Sequence, residues 1–439
     1  MSSAKTTKIT PNAAATVASP SLLSAEAIAQ NEDILHEILL RLPIKSLMRF
    51  KSVSKPWLSH ITSTNFVRNR TAYCNQSISG LILRRRSRPY LHGIPEFDYF
   101  NLSGGESSAI SSGVPFTNGR LTFTDGGKSA IGILQSSNGL LLCTKVLKRS
   151  YFQTPASPRE CYIYNPATRR YSVLPRNISS SAKVLGFSLA FDPSKSPYYE
   201  VICVCGDSNS RDNNDQHWIE IYSSETRRWR LSTCGSFHTE QSSVRFDGGV
   251  YWNGTIHWIS LQGIFYYFKL DEEQIREIRM SPVNRPCFFK RYRYFGESNG
   301  HLHLIDHVED LESPSPSPPC FDVYEMAEDY SGWFVKFLVD LSGFPQTTRR
   351  NVSGLDGLQD FLLYVLCVVR CEPEEESYMV VQTPGELLRY KFKTKVFEKI
   401  YDVGPEGSDV NWHSLLMLFP VIGMWPDDAY QYVETLTPV

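Results

Sequence analysis

The stretch from Asn31 to Phe66, NEDILHEILLRLPIKSLMRFKSVSKPWLSHITSTNF, decides how the chain begins to fold. Ile34, Leu35, Ile38, Leu39 and Leu42 recur at i, i+1, i+4, i+5 and i+8, the period of an amphipathic helix. Asn31 suits an N-cap, and Glu32 and Asp33 stand in the first turn, where the helix dipole favours anions. Pro43 ends that helix and opens a second, which carries Leu47, Met48, Phe50 and Val53. Ser54, with Pro56 two residues on, starts a third that holds Trp57, Leu58 and Ile61. Three helices in about forty residues bury too little surface to be very stable alone. Large apolar side chains on more than one face therefore predict that a partner covers part of them. The alternative is a helical hairpin packed on the rest of the chain.

On the N-terminal side, residues 1 to about 30 are rich in Ala, Ser and Thr, and the first acidic residue is Glu26. The expectation is a disordered leader of low hydrophobicity rather than a transit peptide, which would carry Arg. On the C-terminal side, helical periodicity ends near Arg70. Short apolar and aromatic runs separated by Gly, Pro, Asn and Asp follow to about residue 420. Two motifs repeat. The first is a turn feeding a strand: Asn138-Gly139, Asn253-Gly254 and Asn299-Gly300, pairs that suit type I′ hairpins with positive φ at both positions. The second is an aromatic strand, a polar turn and a return strand, as in Tyr162 to Tyr171 and again in Ile219 to Trp229. Its markers Tyr164, Tyr222, Phe268, Tyr324 and Tyr390 are spaced 58, 46, 56 and 66 residues apart, and Tyr99 makes a sixth, 65 residues ahead of Tyr164. A repeat of roughly fifty residues predicts a kelch-like β-propeller of about six blades over 75–425, with 426–439 as a C-terminal tail. A non-repeating pair of β-sandwiches is the alternative.

At the run from Asp33 to Trp57, through Leu42-Pro43, Lys45-Ser46-Leu47, Arg49-Phe50-Lys51 and Val53-Ser54-Lys55, residues 31–70 resemble a plant-type F-box. The family usually opens with Leu-Pro, where this chain has Gln30-Asn31. The segments Leu185-Gly186-Phe187, Phe191-Asp192-Pro193 and Tyr199-Glu200-Val201 are similar to the F-box-associated or kelch-type propeller that follows F-boxes in many plant proteins. The resemblance implies a Skp-type adaptor as partner, and through it a cullin-RING ubiquitin ligase. It places the adaptor contacts on Leu35, Ile38, Leu39, Leu42, Pro43, Leu47, Val53 and Trp57.

Composition narrows the alternatives. A net charge of −1 gives no global field for nucleic acid or anionic membranes. The longest apolar run, Phe361 to Val369, is too short for a membrane helix and reads as a buried strand. Ten cysteines without a CxxC pair fit a reduced compartment, with Cys203 and Cys205 as core thiols, and the expected location is cytoplasm or nucleus. Gly126-Gly127-Lys128-Ser129 lacks the first glycine of a phosphate loop, because Thr122 stands there. His301 and His303 fall on one face of a strand, with His307 beyond; a half-buried strand with polar groups outward is the simpler reading than a metal site. Arg84-Arg85-Arg86-Ser87-Arg88 reads as a rim loop at the end of the first propeller strand, and Glu372 to Glu376 as a solvated acidic turn.

The expectation is a substrate adaptor without catalytic residues, metal or cofactor. It works by tethering a protein target near a ubiquitin-charged enzyme, which raises the effective concentration of the target's lysines. A non-degradative scaffold and, further off, a propeller enzyme are the alternatives.

Overall fold

A computed structural model describes residues 31–73, 78–85, 95–102, 116–117, 120–121, 123–124, 130–146, 160–179, 182–207, 216–239, 244–260, 264–278, 291–307, 320–341, 349–351, 359–361, 364–383, 386–402 and 429–439. The chain divides into two compact units, 1–66 and 67–439. The leader, the phosphate-loop-like residues 126–129, the Ser-Pro tract at 313–319 and Arg86 to Arg88 lie outside the described residues.

The first unit is helical. Helices α1 (Glu32–Leu40), α2 (Ile44–Phe50) and α3 (Lys55–Thr62) start where the caps predict. The Asn31 side chain accepts from the N–H groups of Asp33 and Ile34, both at 3.1 Å, and Ser54 Oγ accepts from Trp57 N at 3.3 Å. A fourth helix, α4 (Thr64–Tyr73), exceeds the three expected. Its start is set by Ser63, whose extended backbone breaks α3 and whose Oγ caps Phe66 N at 3.2 Å. Leu35, Leu39, Leu40, Ile44, Leu47, Ile61 and Phe66 are buried and form the core. Beside them His36 Nδ1 and His60 Nε2 share a 3.0 Å hydrogen bond, and both rings pack on Phe66.

The second unit is a six-blade β-propeller. Blade 2 consists of antiparallel strands Ala130–Ser137, Leu140–Val146, Cys161–Asn165 and Arg170–Val173. Blade 3 repeats the pattern with Lys183–Ala190, Glu200–Gly206, Gln216–Ser223 and Arg228–Leu231, plus a short strand, Phe237–His238, beside the third. Blade 4 has Val250–Trp252, Thr255–Ile259, Phe265–Lys269 and Gln274–Ile278. Blade 5 has Arg291–Ser298, His301–His307, Cys320–Met326 and Trp333–Asp340. Blade 6 has Tyr364–Val369, Tyr378–Thr383, Glu386–Lys391 and Val396–Asp402. Blade 1 joins both ends of the unit: Ala429–Tyr432 pairs with Gly80–Arg85, which pairs with Glu96–Asn101. Residues 429–432, expected in a tail, are thus an inner strand. The first strand of each blade packs against the first strand of the next, from blade 1 round to blade 6 and back, so the ring closes.

All six aromatic markers fall on the third strand of their blade: Tyr99, Tyr164, Tyr222, Phe268, Tyr324 and Tyr390. Second and third strands are covered on both faces, as in Cys161–Asn165 and Thr255–Ile259, where every residue is buried. They read as continuous apolar runs for that reason. Outer strands such as Arg170–Val173 are mostly exposed. Apolar clusters fill each gap between blades, and aromatic side chains with a polar tip tie the gaps together. Trp229 Nε1 donates to Pro175 O, Trp252 Nε1 to Gly300 O, Tyr401 OH to Asn101 O and Tyr430 OH to Ile133 O, at 2.7, 2.7, 3.0 and 2.8 Å. The predicted Asn-Gly turns are present, with φ of 45°, 47° and 49° at Asn138, Asn253 and Asn299 and positive φ at each following glycine.

Candidate functional site

In the helical unit, a 3.6-residue period places side chains four apart on one face. The wide apolar stripe of α1 splits along its length. Leu35 and Leu39, on its inner edge, are 5% and 0% exposed, whereas Ile34 and Ile38, on its outer edge, are 45% and 42% exposed. Around the start of α3, Val53 is 60% and Leu58 43% exposed. Of the eight residues named from sequence, Ile38, Pro43 and Val53 are exposed, Leu42 and Trp57 are half-buried, and Leu35, Leu39 and Leu47 belong to the unit's own core. Leu35, Leu39 and Leu47 are enclosed by their own helices, which leaves little of their surface to offer a partner. Ile34 and Leu58 are the exposed apolar residues that sequence reasoning passed over. Trp57 is held edge-on against Phe50, with ring centroids 5.3 Å apart, which fixes one side and leaves the other half open.

The first strands of the propeller line an open cavity of about 340 Å³, whose wall includes Gln135, Tyr294, Glu297 and Gln431. Glu297 accepts from Gly300 N at 2.7 Å, and burial pushes its carboxyl up to about 7. Gln431 Nε2 donates to Tyr294 Oη at 3.1 Å and to Glu297 O at 3.2 Å, so the wall is cross-linked between blades 1 and 5.

The histidine strand of blade 5 corrects the outward-facing reading. His303 is fully buried, with Nε2 3.6 Å from Glu325 Oε2, and His301 Nδ1 lies 2.9 Å from Glu325 Oε1. The reason is that second strands are covered on both faces, so polar groups there turn toward one another rather than to water. Burial lowers the His303 pKa; the two histidines outweigh the opposing effect of burial at Glu325 and hold that carboxyl far below the usual range. Arg370 Nη2 stands 3.8 Å from Glu325 Oε2 and 3.4 Å from Glu374 Oε2, and Glu374 also pairs with Lys336 at 3.0 Å. The acidic turn is therefore anchored rather than merely solvated. Among the described residues no three His, Cys, Asp or Glu side chains converge as a metal-holding group. Cys203 and Cys205 are buried free thiols with sulfurs 3.5 Å apart.

Comparison with known proteins matches residues 31–69 to the F-box domain and residues 110–306 to the F-box associated beta propeller domain. One F-box protein of Arabidopsis thaliana is 33% identical over 402 residues, spanning 86% of this chain and 87% of its own. The chain belongs to the F-box proteins. A second Arabidopsis F-box protein is 27% identical over 408 residues, covering 87% of this chain and 94% of its own. A putative F-box/kelch-repeat protein from the same plant is 27% identical over 296 residues, covering 64% and 66%. The F-box supports binding of a Skp-type adaptor in a cullin ligase, and the pairing of F-box and propeller supports a substrate-recognition role in general. That architecture is typical of non-catalytic adaptor subunits.

Proposed function

We propose that this F-box protein is the substrate-recognition subunit of a Skp-cullin-F-box ubiquitin ligase, acting in the cytoplasm or nucleus. The F-box grips the adaptor and the propeller captures a protein target. The observation that carries the reading is the exposure of Ile34, Ile38, Val53 and Leu58 on a unit whose own core is already complete. Apolar side chains of this size left in water on a very small unit favour a covering partner. Leu42, Pro43 and Trp57 border the same surface residues in sequence and contribute their exposed sides. No reacting group is required of the chain, because holding the target near the charged enzyme supplies the rate.

Co-purification of the full chain with a Skp-type adaptor tests this. Wild type is expected to bind. Ile38→Asp and Val53→Asp, which place a charge on surface that the fold itself does not need, are expected to weaken binding at least about tenfold while leaving the melting curve in place. Adaptor binding that is absent from wild type, or unchanged in both variants, contradicts the proposal.

A further inference from the structure

The third-to-fourth-strand turns of the blades occupy equivalent positions and use their side chains differently. In blades 2, 3, 4, 5 and 6 each turn carries a non-glycine residue with positive φ: Arg169 at 56°, Arg227 at 56°, Glu273 at 48°, Tyr330 at 61° and Lys395 at 54°. A residue with a Cβ is strained there, and Gly or Asn would be easier. In blade 4 the strain has a structural return. Glu273 accepts from Ser232 Oγ, Thr233 N and Thr233 Oγ1 at 2.9, 2.6 and 3.0 Å, and pairs with Arg230 of blade 3. Blade 5 does the same by stacking: Tyr330 lies on His257 and Tyr267 of blade 4 at 5.7 and 5.0 Å, and donates to or accepts from His257 Nε2 at 2.9 Å.

Blades 2 and 3 break this pattern. Arg169 and Arg227, with Arg170 and Arg228 beside them, are exposed and, among the described residues, make no ion pair with a carboxylate. Arg169 acts on the Tyr164 phenol of its own hairpin, and Arg227 on the phenols of Tyr222 and Tyr199; Glu225, exposed in the blade 3 turn, is the one carboxylate carried by either turn. The two hairpins are copies: Tyr164-Asn165-Pro166-Ala167-Thr168-Arg169-Arg170-Tyr171 and Tyr222-Ser223-Ser224-Glu225-Thr226-Arg227-Arg228-Trp229. Their blades are neighbours, sharing a core and the Trp229 to Pro175 bond. Four guanidinium groups therefore sit at equivalent places on adjoining blades, at the same end of the propeller, with Glu225 as the single carboxylate of the two turns and no ion pair among the described residues. Val173 and Leu231, at matching positions three residues further along the return strands, are exposed apolar side chains.

We propose that this turn face of blades 2 and 3 docks an acidic segment of a protein partner, one with apolar residues among its carboxylates. Arginine suits the role because its planar fork receives a carboxylate through two bonds. A protein fits better than a nucleic acid. On the same end, next to blade 3, the blade 4 turn presents Asp271, with Glu272 held by Lys269 and Arg276, and the blade 5 turn presents Glu328 and Asp329; among the described turns positive charge returns only at Lys393 and Lys395 of blade 6, so a long polyanion would cross an acidic sector. Calling that partner the ligase target rests on the function proposed above; the surface itself does not.

The test uses the full chain and a fluorescent short peptide of repeated Glu-Glu-Leu, read by anisotropy at about 0.05 and 0.3 M salt, where screening differs strongly. A Lys-Lys-Leu peptide and oligothymidylate serve as comparisons. The variant combines Arg169→Asn, Arg227→Asn, Arg170→Gln and Arg228→Gln, since Asn accepts the left-handed backbone and keeps the turns. The expected result is binding of the acidic peptide alone, about tenfold weaker in the variant and at high salt, with an unchanged melting curve and unchanged adaptor co-purification. Equal binding of the basic peptide or of oligothymidylate overturns the proposal, and so does an acidic-peptide affinity that the variant retains. Failure of wild type to co-purify with the adaptor, with the peptide still bound, counts against the ligase reading and leaves the docking surface standing.

Discussion

Glu273 shows how a single side chain can join two blades. Burial pushes its carboxyl up, but the donors from Thr233, Ser232 and Arg230 outweigh this and leave it below the ordinary value. A carboxyl depressed in the fold contributes stability above its unfolded pKa, and that contribution is lost as pH falls below about 4.5. Glu273→Ala is expected to cost about 2 kcal/mol in urea unfolding at neutral pH, since it removes charged hydrogen bonds and strands Ser232 and Thr233. An unchanged midpoint contradicts the clamp. Glu297 runs the other way. Its folded pKa, raised to about 7 by burial, means that its favourable share is full below the unfolded value and vanishes as pH rises through about 7. Glu297→Gln is therefore expected to raise the melting temperature at pH 8, while changing it little at pH 5, where the native carboxyl is already protonated. A larger gain at pH 5 than at pH 8 would contradict burial as the cause. Neither role is legible in the sequence. Glu273 and Thr233 are 40 residues apart, and nothing in an acidic turn says which carboxylate has donors waiting.

At the scale of elements, the sequence is most informative where the backbone itself restricts the choice. Asn31 and Ser54 mark helix starts because few side chains can cap, and Asn-Gly marks hairpins because few residues take positive φ twice. The third-strand aromatics were legible for a related reason, since a strand buried on both faces has no polar period to hide it. Which edge of the α1 stripe faces inward was not legible. Five apolar residues within nine positions cover a broad arc, and only the packing of α2 and α3 separates Leu35 and Leu39 from Ile34 and Ile38. That separation predicts a contrast. Leu47→Ala, which opens a cavity in the helical core, is expected to cost about 2–5 kcal/mol, whereas Val53→Ala on the surface stays within about 0.5 kcal/mol. Far-UV circular dichroism during denaturation measures both, since the helices contribute most strongly there. Equal losses would mean that Val53 is also core.

For the whole molecule, closure is the feature that local pattern conceals. Gly80–Leu83 pairs with Ala429–Tyr432 across nearly the full chain, and four residues of alternating Ala, Tyr, Gln and Tyr look unremarkable until their partner is known. Once placed, they are well held. Tyr430 OH donates to Ile133 O of blade 2, and Asn165 Nδ2 donates to the carbonyls of Thr435 and Thr437 at 3.1 and 2.7 Å. A closed ring leaves no unpaired first strand at its seam and so gives the propeller a continuous core and a rigid set of turns. Division of labour follows from the two units: a small helical one with apolar side chains left in water, and a large β one with turns of distinct charge. The most direct test of that division is amide hydrogen exchange of the full chain with and without a Skp-type adaptor. Slowed exchange confined to residues 31–66, strongest in α1 and around the start of α3, is the predicted result. Protection that falls on the propeller blades, or no protection in residues 31–66, would contradict the assignment of adaptor docking to the F-box.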